Sequence, residues 1–268
     1  MNSHAASRPV SSRRLLIFRI LAVLTGLFFL IAGLLNARAG WMLVVGTSGD
    51  LNPEQNRWFT TVAGTADLIG AGCLLTLVWR PKLHLLFAYM VVGAVVAAAI
   101  NLPFVPEFAV ILAGVMPALI AYPYWLRLRD LPTWWRKPHV VMLAITAVAA
   151  AVLFLVAGIR VGRQIGGTDP AAQANWWAEY AEHASLVGIA GLMASSGRPG
   201  WRILGGLASA AWLYLGFVAV FGLPDHTGSW GVVGGLAGLV VGSILAVTCV
   251  RGDAPKEATT SGIQLAGG

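Results

Sequence analysis

Residues 147–158 read AVAAAVLFLVAG, and residues 91–100 read VVGAVVAAAI. Neither alternates apolar with polar positions, so neither is the ten-residue strand of a membrane β-barrel, which must face lipid and lumen in turn. Both are continuous. Extended to the nearest charged or turn-forming residue, each approaches the roughly 20 apolar residues that an α-helix needs to cross a hydrocarbon core of about 30 Å. The same test applied along the chain finds runs at 15–37, 58–79, 83–101, 106–126, 139–160, 174–195, 201–221 and 229–250, eight candidate spans. Of the 268 residues, 57% are hydrophobic and 11% charged, and the mean hydropathy is +0.75, well outside the range of a soluble domain. The expected fold is all-α: a polytopic transmembrane helical bundle of eight spans, with the lipid bilayer as its first partner.

The net charge of +7 would suit a nucleic-acid partner, but the basic residues are distributed as topology demands. Arg8, Arg13, Arg14, Arg80, Lys82, Arg127, Arg129, Arg136, Lys137, Arg198, Arg202, Arg251 and Lys256 fall on one side of the expected membrane. Only Arg38, Arg57, Arg160 and Arg163 fall on the other. The positive-inside rule then puts both termini in the cytoplasm of a bacterial-type plasma (inner) membrane, and no nucleic-acid role is expected. LPTWWRKPH (131–139) and NWWAEY (175–180) supply indole rings for the water interfaces. SSRRLLIF (11–18) has the basic flank of a signal peptide, and ARA (37–39) mimics a cleavage site. The apolar core between them is longer than a removable h-region, so an uncleaved first span is expected. Cys73 and Cys249 form no CxxC pair, and no disulfide or thiol redox role is read from them.

The chain also repeats itself. LIGAGCLLTLVWRP (68–81) lies over LVGIAGLMASSGRP (186–199), pairing Leu68 with Leu186, Gly70 with Gly188, Arg80 with Arg198 and Pro81 with Pro199. Earlier in each half, FLIAGLLNAR (29–38) matches FLVAGIRVGR (154–163). The expected organisation is an N-terminal tail (1–14), a first four-helix unit (15–130), a second (131–250) and a disordered C-terminal tail (251–268). Each unit has an even number of spans, so the copies keep the same orientation and form a parallel repeat.

RILAVLTGLFFLIAGLLN (19–36) followed by AGTADLIGAGCLLTLVWRP (63–81) resembles the first two spans of the DoxX-like four-helix membrane proteins. The shared pattern is an early Arg, an apolar run ending near a Gly, then an acidic residue before a small-residue cluster and a short basic turn. Asp67 stands at the acidic position, and Ser185 replaces it in the second half. The resemblance implies a compact four-helix unit, here in tandem, of a type sometimes linked to quinone or thiosulfate redox systems.

Candidate chemistry centres on WWAEYAEHASLVG (176–188). A helix starting near Asn175 carries Glu179 about 6 Å, and Glu182 and His183 about 10 to 12 Å, beyond the outer interface. All three share one broad face, and ionisable groups at such depth face the bundle or a water-filled cavity. The alternative is a helix that starts a turn later, leaving Glu179 and Glu182 in headgroup water. Thr61, Gly64 and Thr65 occupy the equivalent places in the first copy, so the four-helix scaffold does not itself require these charges. Asp225 and His226 in FGLPDHTGSW (221–230) lie on the same side of the membrane. Glu179, His183, Asp225 and His226 are accordingly a candidate metal set, with a capped turn as the alternative for the loop. Asp67 is the deepest acid, about 14 Å into span 2, and is either functional or a hydrogen-bonded structural group. Arg19 pairs with it only if the side chain points inward; snorkelling to cytoplasmic water is the other course. Asn36, Asn101 and His84 read as interfacial or packing residues. GVVGGLAGLVVG (231–242) repeats Gly at four-residue spacing, a face for close packing within the bundle or against a second chain.

Asp67, Glu182 and His183 are thus the candidate catalytic, proton-handling residues of an outward-facing site in a redox-linked membrane subunit, quinone- or metal-associated. The alternatives are a proton-coupled small-solute transporter and a non-catalytic membrane assembly subunit, as a homo-oligomer or in a complex, bound through the Gly-rich face of span 8. Phosphate-loop, nucleophile-elbow, zinc-protease, haem-attachment and nucleotide motifs are absent, so no motif names a cofactor.

Overall fold

A computed structural model describes residues 11–42, 53–105, 108–125 and 138–251, the side chains of 53–55 excepted. Among these the structure is helical, without strands. Its helices are α1 (Ser12–Ala37), α2 (Pro53–Trp79), α3 (His84–Asn101), α4 (Phe108–Ala121), α5 (Val140–Gly166), the single turn α6 (Pro170–Gln173), α7 (Trp176–Ala194), α8 (Trp201–Phe217) and α9 (Gly231–Arg251). A 3₁₀ turn (Arg38–Gly40) follows α1, and a π-helical turn (Val218–Gly222) continues α8.

Each of the eight expected spans corresponds to a helix, but only six are long and apolar enough to cross a membrane: α1, α2, α3, α5, α8 with its π turn, and α9. Two expected spans depart from this. The α4 helix has 14 residues with Pro117 inside it. The α7 helix is long enough at 19 residues but is not among the six, because Glu179, Glu182 and His183 interrupt its apolar run. The helix α1 begins at Ser12, inside the stretch expected to be a tail. The indoles of LPTWWRKPH, the polar stretch 47–52 and the C-terminal segment after Arg251 lie outside the described residues.

The bundle has a centre and a rim. α2, α3, α7 and α8 touch one another in the middle, with α1 laid along α2, α5 along α7, α9 along α8, and α4 against α1 and α3. In α2, 61% of the most apolar window is buried, against 17% in α1 and 22% in α9. The rim helices therefore show Leu16, Ile20, Leu24, Phe28 and Ile31 of α1, and Val233, Leu236 and Val240 of α9, on the surface. In lipid such side chains carry no hydrophobic penalty. What drives helices together there is close packing of small residues and interhelical hydrogen bonds.

Two contacts show how close the backbones come. A Cβ on Gly64 of α2 would collide with the main chain of Asn36 and Ala37 at the end of α1. A Cβ on Gly216 of α8 would lie 2.7 Å from Gly235 O and 2.8 Å from Leu239 N of α9. The Gly-rich face of α9, with Gly235, Gly238 and Gly242 buried, is thus occupied by α8 of the same chain and is not left open for a second copy. Ser209 Oγ reinforces it by donating to Gly242 O at 2.8 Å. Ser209→Ala is expected to cost about 0.6 kcal/mol, the mean for a hydrogen bond between membrane helices, read as a small drop in the unfolding midpoint in detergent.

Local chemistry fixes where α7 begins. Asn175 adopts a left-handed conformation (φ 61°), which asparagine tolerates better than most residues. Its Oδ1 accepts from Gln164 Nε2 (3.1 Å), which also donates to Ala172 O (2.8 Å). Asp169 caps α6, accepting from Ala172 N–H at 2.8 Å, and its Oδ1 also accepts from Trp177 Nε1 at 3.1 Å. The helix starts at Trp176, not a turn later, and Trp176 and Trp177 are buried in the bundle.

Candidate functional site

Between α1, α2, α3, α4 and α7 lies a cavity of about 460 Å³. Most of its wall is apolar, with Phe28 and Phe29 of α1 facing Ile111 and Leu112 of α4. Its polar wall is built by α2, α3 and α7. Asp67 comes from α2, Tyr89 and Asn101 from α3, and Glu179, Glu182 and His183 from α7, with Asn36 contributed by α1. Glu182 is 5% exposed and Asn101 1%. Glu179 is exposed, while Asp67 and His183 are partly buried.

The hydrogen bonds orient four of these groups. Asn101 Nδ2 donates to Glu182 Oε2 and to Ala97 O, the latter at 3.2 Å. Asn101 Oδ1 is buried with no partner among the described residues. A buried amide oxygen left open is uncommon, and it offers the cavity one acceptor. An amide is also suited to a carboxyl group that changes protonation state. The NH₂ donates to a carboxylate, and after a flip the oxygen accepts from a carboxylic acid. His183 Nδ1 lies 2.6 Å from Glu179 O. A carbonyl only accepts, so Nδ1 carries the hydrogen and, in the neutral ring, Nε2 is the free base. Tyr89 Oη donates to Leu186 O at 3.4 Å.

The placement of the remaining candidates differs from expectation. Asp225 and His226 are not among the residues lining this cavity. Among the described residues, no group of three or more His, Cys, Asp or Glu side chains is arranged to hold a metal ion. The set Glu179, His183, Asp225 and His226 is therefore not assembled. The reason is packing: the segment after α8 docks through Trp230, whose Nε1 donates to Tyr180 Oη at 3.0 Å and whose ring meets Trp58 edge-on at 5.5 Å. His226 sits in a turn, its N–H donating to Leu223 O at 3.4 Å, and Asp225 is exposed. Arg19 is exposed and does not line the cavity, so it does not serve as a partner for Asp67. Asn101, expected as a packing or interfacial residue, belongs to the polar wall. Its only sequence signal was an amide at the end of an otherwise apolar run.

The fold and this cavity define an all-helical protein with several helices apolar enough to cross a bilayer, a multi-pass membrane protein with a cavity that carries one polar wall. Compared with protein-family models, with curated proteins and with solved structures, the chain matches none.

Proposed function

We propose that the protein is an inner-membrane, eight-span protein of DoxX-like type, built as two parallel four-helix repeats, that binds a quinone-type ligand in the cavity and exchanges protons with it. The observation that carries the reading is the division of the cavity into an apolar wall and a wall of Asp67, Asn101, Glu182 and His183. An apolar ring with carbonyl oxygens matches such a division, the ring lying on Phe28, Phe29 and Leu112 and the oxygens facing the polar wall. When bound, a quinone supplies electron-accepting chemistry, and its two-electron reduction takes up two protons. This chain's part is to position the ligand and to hold and deliver those protons from Glu182, His183 and Asp67, with electrons supplied by a redox partner. A metal is not part of the reading, because the side chains do not fit one.

The repeat is supported by matched packing. α1 lies on α2 as α5 lies on α7, α4 touches α1 as α9 touches α5, and α7 meets α3 as α2 meets α8. With α1 to α4 taken as one unit and α5, α7, α8 and α9 as the other, each of these contacts has a counterpart related by exchange of the units. Cytoplasmic termini follow from the charge distribution in the same way as before.

Equilibrium binding of decylubiquinone to the purified chain in detergent tests the proposal. Wild type is expected to bind, with His183→Ala and Asp67→Asn each weakening binding about tenfold, the worth of one hydrogen bond to a charged or polar site group. Absence of binding by wild type, together with absence of quinone in extracts of the purified protein, would overturn it.

A second reading draws on the excess of three carboxyl side chains over one imidazole in the cavity, which favours a cation and hence proton-coupled transport of a lipophilic amine. Against it, Pro117 in α4 and the π turn after α8 interrupt helices that do not correspond between the two units, whereas transport sites are marked by breaks at corresponding positions. Binding of tetraphenylphosphonium with release of protons, in place of quinone binding, would decide for this reading.

A further inference from the structure

The second half of the bundle holds its own cavity, of about 730 Å³, between α5 and α9. It shares no lining residue with the acidic cavity. Along α5 its wall is the stripe Ala144, Val148, Val152, Val156 and Arg160. These are successive four-residue steps, a row that slants around α5 as it rises about 24 Å at 1.5 Å per residue, the length of an extended acyl chain. Val148 and Val152 are 68% and 55% exposed, so the groove opens sideways toward the hydrocarbon. Ala237 on α9, also exposed, forms the facing rim.

The groove is apolar along its length and cationic at one end. The Arg160 guanidinium carbon stands 4.4 Å from the ring centroid of Trp177 and 5.6 Å from that of Tyr180. Arg163 approaches the same indole at 5.2 Å. Arg160 Nε is buried and has no hydrogen-bond partner among the described residues. Tyr180 Oη accepts from Trp230 Nε1, which leaves its own proton available to another acceptor. Two guanidinium groups at one indole concentrate positive charge at this end, and guanidinium is well matched to phosphate oxygens. Arg160 lies about 9 Å before the end of α5, where a long side chain reaches the headgroup level.

We propose that this groove is a binding site for an anionic phospholipid, one acyl chain lying along Ala144–Val156 and the headgroup phosphate held by Arg160 with Arg163. The charge at one end selects the headgroup; the length of the apolar stripe selects a chain. The assignment is independent of what binds in the acidic cavity.

Native mass spectrometry of the full chain in detergent, with dioleoyl phosphatidylglycerol and dioleoyl phosphatidylcholine offered at equal concentration, tests it. Wild type is expected to retain phosphatidylglycerol about tenfold over phosphatidylcholine, in keeping with two cations near the membrane surface. Arg160→Gln is expected to bring that ratio close to one, and Lys82→Gln, in a loop remote from the groove, to leave it unchanged. Ala237→Trp fills the groove from an exposed position without disturbing the core, and is expected to lose both lipids. Equal retention of the two lipids by wild type would overturn the proposal, as would an undiminished preference in Arg160→Gln. Should Arg160→Gln not survive purification, lipid retention by Ala237→Trp would overturn it alone.

Discussion

Gly64→Leu is expected to destabilise the protein by about 3 kcal/mol or more, the upper end of what overpacking costs. The side chain would have to enter space held by the main chain of Asn36 and Ala37. Backbone cannot rotate away as a side-chain tip can, so α1 must separate from α2 at its C-terminal end. That separation also breaks the neighbouring contact in which a Cβ on Gly33 would stand 3.0 Å from Gly64 O, and it pulls on the 3₁₀ turn that Arg57 holds through Ala39 O at 2.9 Å. Greater helix propensity works the other way, but leucine gains only about 1 kcal/mol over glycine in a helix. Gly158 offers a control. It stands in FLVAGIRVGR (154–163) where Gly33 stands in the similar FLIAGLLNAR (29–38), yet a Cβ there would meet nothing within 4 Å. Gly158→Leu is accordingly expected to leave the unfolding midpoint in detergent unchanged or slightly raised, while Gly64→Leu lowers it steeply.

Asn101→Leu is expected to cost about 3 kcal/mol, and the double variant Asn101→Leu with Glu182→Leu to recover most of it. The single change removes the side-chain donor to a carboxyl group that is 5% exposed and leaves that group buried without its partner, which is costlier than the hydrogen bond itself is worth. Replacing both partners by apolar groups removes the stranded group as well, and such exchanges are often neutral or favourable. The double variant also eliminates Asn101 Oδ1, an acceptor already without a partner. Stability and ligand binding should therefore part company: thermal unfolding of the double variant approaches wild type, and decylubiquinone binding is lost. A double variant as unstable as Asn101→Leu alone would show that the pair is a structural strut and not a site retained for binding.

Much of the scaffold could be read from the chain because lipid imposes a simple rule, that apolar length makes helix. The limits of that rule explain the departures. It counts residues without knowing their neighbours, so it could not distinguish α1, which faces lipid with Leu24 and Phe28, from α7, which is enclosed by α2, α3, α5 and α8. In an enclosed helix, length and hydropathy cease to be the governing quantities. The polar wall of the cavity was legible in Asp67, Glu182 and His183 because charge within an apolar run is expensive and so conspicuous. Asn101 and Tyr89 were less visible: a neutral amide at a helix end, or a phenol within one, costs less than a charge, and only the crossing of α3 over α7 gives Asn101 its role. Asp225 and His226 show the converse. The expected topology puts them on one membrane side with Glu179, but Trp230 anchors their segment on Tyr180 and Trp58, on a different face of α7 from Glu182.

The enclosure of α7 bears on how the chain enters its membrane. Alone at a translocon, a segment carrying Glu179, Glu182 and His183 faces a charge of about 2.5–3.5 kcal/mol for each ionised group near the bilayer centre, and its apolar remainder is short. Three of the helices that cover it, α2, α3 and α5, precede it in the chain, and α8 follows at once across a tight turn. Insertion of this segment is thus expected to be a tertiary event, with the earlier helices as a receptacle for the α7–α8 hairpin, so that order of synthesis and order of membrane entry are coupled through three ionisable side chains.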